Sequence, residues 1–231
     1  MTKNIKTLIR RAAGALCLGG MMLSAGLFTS CTEKDNTVEE FADWQSKNET
    51  YWNKLYTATQ QKIKSGDTSW KIILNYSYQN QKQTSGSALT YSPEDYIIAH
   101  VEQAGAGTTS PLYSDSVSMH YMGRLIPSTT YTLGLIFDKS WSNDTFNATT
   151  SRPAHSYLGL TYNSEGKAVS LVDGFTTALM SMHRGDHWTV YIPHQLGYGT
   201  SASGTVPAYS TLIFDLRLVD FSHPGTKLKD S

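Results

Sequence analysis

The chain has 231 residues with 19 basic and 19 acidic side chains, so it carries no formal net charge. At 39% apolar and 16% charged residues it is too apolar for general disorder, and it lacks the basic excess of a nucleic-acid binder. Two cysteines exclude a disulfide-stapled scaffold.

The N-terminus reads as an address. Lys3, Lys6, Arg10 and Arg11 precede a mostly apolar run from Ala12 to Phe28. That run is glycine-rich and falls short of the roughly 20 strongly apolar residues of a membrane span, so residues 1–30 read as a secretory signal. It ends at Leu27-Phe28-Thr29-Ser30-Cys31, which resembles a bacterial lipobox with Phe28 where leucine is usual. The layout favours a lipoprotein anchored to the membrane through Cys31 over an ordinary signal peptide or an uncleaved anchor. The implied location is the outer membrane of a Gram-negative envelope, facing the periplasm or the surface. Cleavage would remove those four basic residues and leave 15 against 19 acidic ones, a mature charge of −4. Residues 31–37 are polar and read as a tether.

Residues 38–92 read as an extension of one helix and one strand. Thr37-Val38-Glu39-Glu40 has capping-box spacing, and Phe41, Trp44, Tyr51, Trp52, Leu55, Tyr56, Thr59 and Ile63 recur on one helical face. The spacing predicts a helix over about 38–65, closed by Gly66. Its aromatic face needs cover. Packing on the chain's own C-terminal domain is favoured over a dimer contact with a second copy. Trp70 to Tyr78 reads as a strand, Asn80 to Ser87 as a loop, and the boundary falls near 92.

From residue 93 to 221 the pattern changes to short strands with turn punctuation: Tyr96–Glu102, Ser116–Leu125, Ile136–Ser140, Ser156–Leu158, His187–Ile192 and Thr211–Phe221. One segment is helical, with Phe175, Ala178, Leu179 and Met182 at i, i+3, i+4 and i+7, Asp173 as candidate cap and Gly185 beyond its end. This predicts an α+β domain in which an antiparallel sheet curves around one short helix, followed by a tail over 222–231. His183 and His187 have a metal-like spacing, but Gly185 between them and the lack of a third ligand favour solvated histidines and no metal. No other cofactor motif is present.

Six motifs in order carry a family resemblance. Val117-Ser118-Met119-His120-Tyr121-Met122-Gly123 resembles the V-x-V-H-Y-T-G strand of FKBP-type peptidyl-prolyl isomerases, and Phe137-Asp138-Lys139-Ser140 their F-D-S-S. Leu171-Val172-Asp173-Gly174-Phe175 is similar to V-I-x-G-W, Met182-His183-Arg184-Gly185 to M-x-x-G, and Leu196-Gly197-Tyr198-Gly199 to A-Y-G. Val206-Pro207-Ala208-Tyr209-Ser210-Thr211-Leu212-Ile213-Phe214-Asp215 resembles I-P-P-x-A-T-L-V-F-D.

The resemblance implies an FKBP-like fold and rotation of X-Pro bonds in proline-containing polypeptides, the expected partners, without a cofactor. Carried over by position, Asp138, Tyr198 and Phe175 would be catalytic. Tyr121, Phe137, Leu171, Val172, Val206 and Phe214 would bind substrate, and Phe175 would form the floor. Ala154 stands where the family often has an aromatic wall, and Thr205 replaces a common aliphatic residue at the rim. Two long stretches, 123–137 and 138–159, are expected beside the pocket, where they would set client choice. The alternative is a non-catalytic lipoprotein on the same scaffold that binds peptide or glycan, an aromatic surface for which 14 tyrosines and five tryptophans would suffice.

Overall fold

The computed structural model describes residues 39–81 and 89–228. These belong to one compact unit, Val38–Ser231. The expected signal segment, Cys31, the tether, Thr37–Val38 of the capping box, most of the 80–87 loop and the end of the tail lie outside the described residues.

The first helix, α1, spans Trp44–Lys64 and starts a turn and a half later than its periodicity predicts. The reason is a competing partner. The Glu40 carboxylate accepts hydrogen bonds from the Ser128 hydroxyl and, at 3.0 Å, from the Thr130 amide. Those bonds pull its pKa down to about 2. Asp43 sits at φ 53° with no side-chain cap. The aromatic face of α1 is covered within the chain. Trp44 and Trp52 are 6% and 3% exposed. The Trp44 indole donates to Ser210 Oγ at 2.8 Å, and buried Asn48 accepts from the Thr211 amide at 2.7 Å.

The strands are β1 (Trp70–Leu74), β2 (Tyr96–Gln103), β3 (Ser116–Leu125), β4 (Ile136–Lys139), β5 (Ala154–Tyr157), β6 (Thr161–Tyr162), β7 (Ala168–Val169), β8 (His187–Ile192) and β9 (Leu212–Ser222). The second helix, α2, is Asp173–Ser181. The main sheet runs β1-β2-β8-β9-β3-β4, with β5 also on β3, and its pairings are antiparallel. Because β1 pairs with β2, the extension before residue 92 continues this sheet. β6 and β7 form a separate two-stranded hairpin.

β1 stops at Leu74, four residues before the predicted end. Beyond it the chain turns to meet α2: the Tyr76 amide donates to Thr177 Oγ1 at 3.1 Å, and Asn75 Oδ1 lies 3.0 Å from the same hydroxyl. α2 lays Phe175, Ala178 and Leu179 against the inward residues of the sheet, which include Ile97, Ala99, Val117, Met119, Val190, Ile192, Phe214 and Leu216. The N-cap of α2 is Val172, with Asp173 as its first residue and no side-chain cap bond.

Alternation decides what each strand offers. Along β3, Val117, Met119, Tyr121 and Gly123 face α2, while His120 faces the other way and meets the tilted ring of Phe146 at 4.8 Å. Arg217 lies over the same Phe146 ring at 4.4 Å. The stretch 140–153 therefore folds its aromatics onto the back of the sheet, and the stretch after Leu125 receives Glu40. The stretch 138–159 still flanks the pocket as expected, through Asp138, Ala154, His155 and Ser156, whereas 123–137 reaches it only through its last residue, Phe137.

Candidate active site

The concave face of the sheet and the start of α2 enclose an open hollow of about 270 Å³. Eight of the nine residues singled out from the sequence line it: Tyr121, Phe137, Asp138, Leu171, Val172, Phe175, Tyr198 and Phe214. The ninth, Val206, is absent from its lining. It is 3% exposed and packs in the core, held by a bridge to Ser203, so its apolar character serves the fold. Ala154 is at the wall and Thr205 is exposed.

Phe175, 4% exposed, is the floor. Its ring meets Phe214 at 4.8 Å and Tyr121 at 5.8 Å, edge to face, and Phe214 meets Phe137 at 5.6 Å and 90°. Such crossings are favourable aromatic geometries and hold the rings in one shape. Gly123 makes the cluster possible. A Cβ there would sit 2.4 Å from Phe137 Cζ and 2.7 Å from Phe214 Cε1. Gly123→Ala is expected to displace both rings, cost about 1–3 kcal/mol and lower any turnover about tenfold; urea unfolding and a peptide assay would measure the two effects.

Beside the rings the hollow has a polar side, lined by Asp138, His155, Ser156, Ser170 and the hydroxyl-bearing Tyr121 and Tyr198. The Tyr121 hydroxyl donates to Asp138 Oδ2 at 2.8 Å. Burial, then the hydrogen bond and charge of Asp138, push the Tyr121 phenol up to about 12. Tyr198, 40% exposed, stands at the rim with its phenol raised by burial and then by the Asp138 charge. It is presented by a tight loop after His194–Leu196, in which Gly199 takes φ 67° and its amide donates to the His194 carbonyl at 2.8 Å. Both phenols stay protonated at neutral pH and can donate.

Sequence reasoning missed four lining residues: Met119, His155, Ser156 and Ser170. Met119 was recoverable, two positions from Tyr121 on the same face of β3. The other three lie in segments without a motif.

A larger hollow of about 440 Å³ beside Lys71, His183 and Asp186 contains none of the motif aromatics. There the Asp186 carboxylate is engaged by the Gly105 and His183 amides at 2.6 and 2.8 Å. His183 sits 3.7 Å from Asp186, whereas His187 pairs with Asp215 at 3.1 Å on another part of the sheet.

The family model described as FKBP-type peptidyl-prolyl cis-trans isomerase matches residues 107–219. A macrophage infectivity potentiator of Trypanosoma cruzi is 33% identical over 149 residues, which are 64% of this chain and 63% of that protein. An FKBP-type 22 kDa peptidyl-prolyl cis-trans isomerase of Escherichia coli is 30% identical over 130 residues, 56% of this chain and 52% of that one. The crystal structure of FkpA from Escherichia coli superposes with a TM-score of 0.48 at 23% identity, covering 78% of this chain and 62% of that one. The chain thus spans less than two thirds of the length of these relatives.

Proposed function

From the membership of residues 107–219 in the FKBP-type peptidyl-prolyl cis-trans isomerase family, we propose that the protein accelerates cis–trans interconversion of X-Pro bonds in polypeptide clients, using the aromatic hollow as its catalytic site. The observation that carries this reading is the meeting of Tyr121, Phe137, Asp138, Phe175, Tyr198 and Phe214, drawn from five separate segments, around one open space of about 270 Å³.

The chemistry asks little of the protein. Rotation about an amide is opposed by about 18–20 kcal/mol of lost resonance. The twisted amide has less charge separation than the planar one, so an apolar, water-poor wall favours it over the ground state. A thousandfold acceleration needs about 4 kcal/mol of such preference. Phe175, Phe214 and Phe137 supply the apolar enclosure for the prolyl ring. In this reading the Tyr198 hydroxyl at the rim donates to the substrate carbonyl, while Asp138, which accepts from Tyr121 at 2.8 Å, forms the polar wall. No proton or covalent bond changes hands. A protease-coupled assay on an X-Pro tetrapeptide tests this: acceleration by the wild type is expected, and none would leave only a binding module.

The address at the N-terminus extends the proposal to place and clients. The basic start, the short apolar run and Cys31 support a lipid-anchored envelope protein acting on exported or envelope polypeptides as they fold. None of the helices among the described residues is long and apolar enough to cross a membrane. Cys31→Ser is expected to move the protein from the membrane fraction to the soluble fraction and to remove a lipid adduct from its N-terminal peptide in mass spectra. Unchanged fractionation would overturn the anchor.

A further inference from the structure

The β6–β7 hairpin is an element the isomerase mechanism does not use. It joins β5 to α2, and both of its ends reach the hollow, through Ser156 on one side and Ser170, Leu171 and Val172 on the other. Residues 160–170 are all exposed, so the hairpin adds no side chain to the core. It is nonetheless a built turn. Asn163 Oδ1 accepts from the Glu165 and Lys167 amides at 3.1 and 2.9 Å, Gly166 takes φ 73°, and the Thr161 hydroxyl donates to the Val169 carbonyl at 3.1 Å.

Its composition is wrong for a solvated turn. Leu160 is 47% exposed, Tyr162 67% and Val169 46%, with Tyr157 beside them at 40%. Four of the 13 exposed large apolar side chains among the described residues fall in this one short stretch. Register gives the direction. Ser170 lines the hollow, Ala168 shares its side of the extended chain, and Tyr162 is the cross-strand partner of Ala168. Leu160, two residues before Tyr162, has the same parity. The face that continues from the hollow is therefore Leu160, Tyr162 and Ala168, while the charges Glu165 and Lys167 sit at the turn.

We propose that this hairpin face is a docking shelf for an apolar side chain of the client, with Tyr162 and Leu160 as its specificity-determining residues. The proposal rests on the isomerase reading of the hollow. The occupant is an extended, unfolded stretch of polypeptide, because the shelf is continuous with the site that takes the proline. At about 3.4 Å per residue, the two residues from Ser170 to Ala168 set the shelf roughly 7 Å along the chain. It is reached by a client side chain about two to four positions from the proline. Folded proteins bury such side chains, so the shelf selects clients that are still unfolded.

The test uses the full chain with Leu160→Ser and Tyr162→Ser together, on two substrates. One is a terminally blocked X-Pro dipeptide, which has no side chain two positions from the proline and is followed by NMR exchange; the other is an unfolded protein of about 100 residues whose refolding is limited by proline isomerisation. Dipeptide turnover is expected to stay within about twofold of wild type, while catalysed refolding falls about tenfold through a higher KM. Asp138→Ala, as a control, lowers both. Equal loss on both substrates, or loss on neither, would overturn the shelf. A wild-type protein that forms dimers, which Tyr162→Ser dissociates, would assign this face to a second copy and overturn it too. If the wild type turns over neither substrate, the isomerase reading fails separately. The shelf is then judged by fluorescence anisotropy of the labelled unfolded protein: tenfold weaker binding by the double variant supports it, and unchanged binding overturns it.

Discussion

Replacing Phe175 with alanine is expected to lower turnover of an X-Pro peptide about a hundredfold and to destabilise the fold by about 3–5 kcal/mol. The two losses have different origins. Stability falls because the ring is 4% exposed and packs between Phe214 at 4.8 Å and Tyr121 at 5.8 Å, so truncation opens a cavity at the mouth of the core. Turnover falls because the floor of the hollow is gone and water can hydrate the prolyl amide. Phe175→Leu separates them. It refills most of the volume, so the urea midpoint should recover much of its loss, while turnover should stay well below wild type because the flat ring is missing. A Phe175→Leu protein with wild-type turnover would show that volume alone, and no aromatic floor, is what the site requires.

Asp138→Ala is expected to do the opposite, reducing turnover about tenfold or more with a stability change below about 1.5 kcal/mol. Asp138 is exposed, and its carboxylate accepts a hydrogen bond from Tyr121 at 2.8 Å. Losing it frees Tyr121 to rotate, and the polar wall goes with it. The Tyr121 phenol, now at about 12, should also titrate lower in the variant, although burial, its first cause, remains. The pH dependence follows in sign. A phenol whose folded pKa is raised contributes stability below the unfolded value near 10, and that contribution is lost as pH rises from about 10 through about 12. Wild-type turnover should therefore hold from about pH 8 to about pH 10, where an ordinary tyrosine at this position would already be ionising. Ultraviolet difference titration of both proteins, run beside the peptide assay, checks the two statements together. Global unfolding of Asp138→Ala would contradict a site role.

The parts of this molecule that could be read from its sequence are those set by near neighbours. Alternation along Ser116–Leu125 and His187–Ile192 placed both strands with the ends the structure has. The i, i+3, i+4, i+7 pattern from Phe175 to Met182 identified α2 and its buried face. The order of six short motifs gathered eight of the hollow's thirteen lining residues before any geometry was known. What escaped was decided by partners far along the chain. Glu40 bonds to residues almost 90 positions away, which moves the start of α1. Asn75 and Tyr76 end β1 because they meet Thr177. Val206 is apolar in either role, and only the packed core shows that it points inward. The hairpin at Thr161–Tyr162 and Ala168–Val169 has strands too short for any periodicity to register. The stretch holding Trp141 and Phe146 was recognisable as long, but its direction depended on where His120 and Arg217 would present a surface.

The central claim is that the aromatic hollow, and no other depression on the molecule, takes the prolyl ring and speeds its rotation. NMR titration of the protein with an X-Pro peptide tests both halves in one experiment. Aromatic ring currents should give the largest shifts at Tyr121, Phe137, Phe175 and Phe214, and exchange cross-peaks should report cis–trans interconversion about a thousandfold above the uncatalysed rate. Shifts concentrated instead around Lys71, His183 and Asp186, or binding at the aromatic hollow with no exchange, would contradict it.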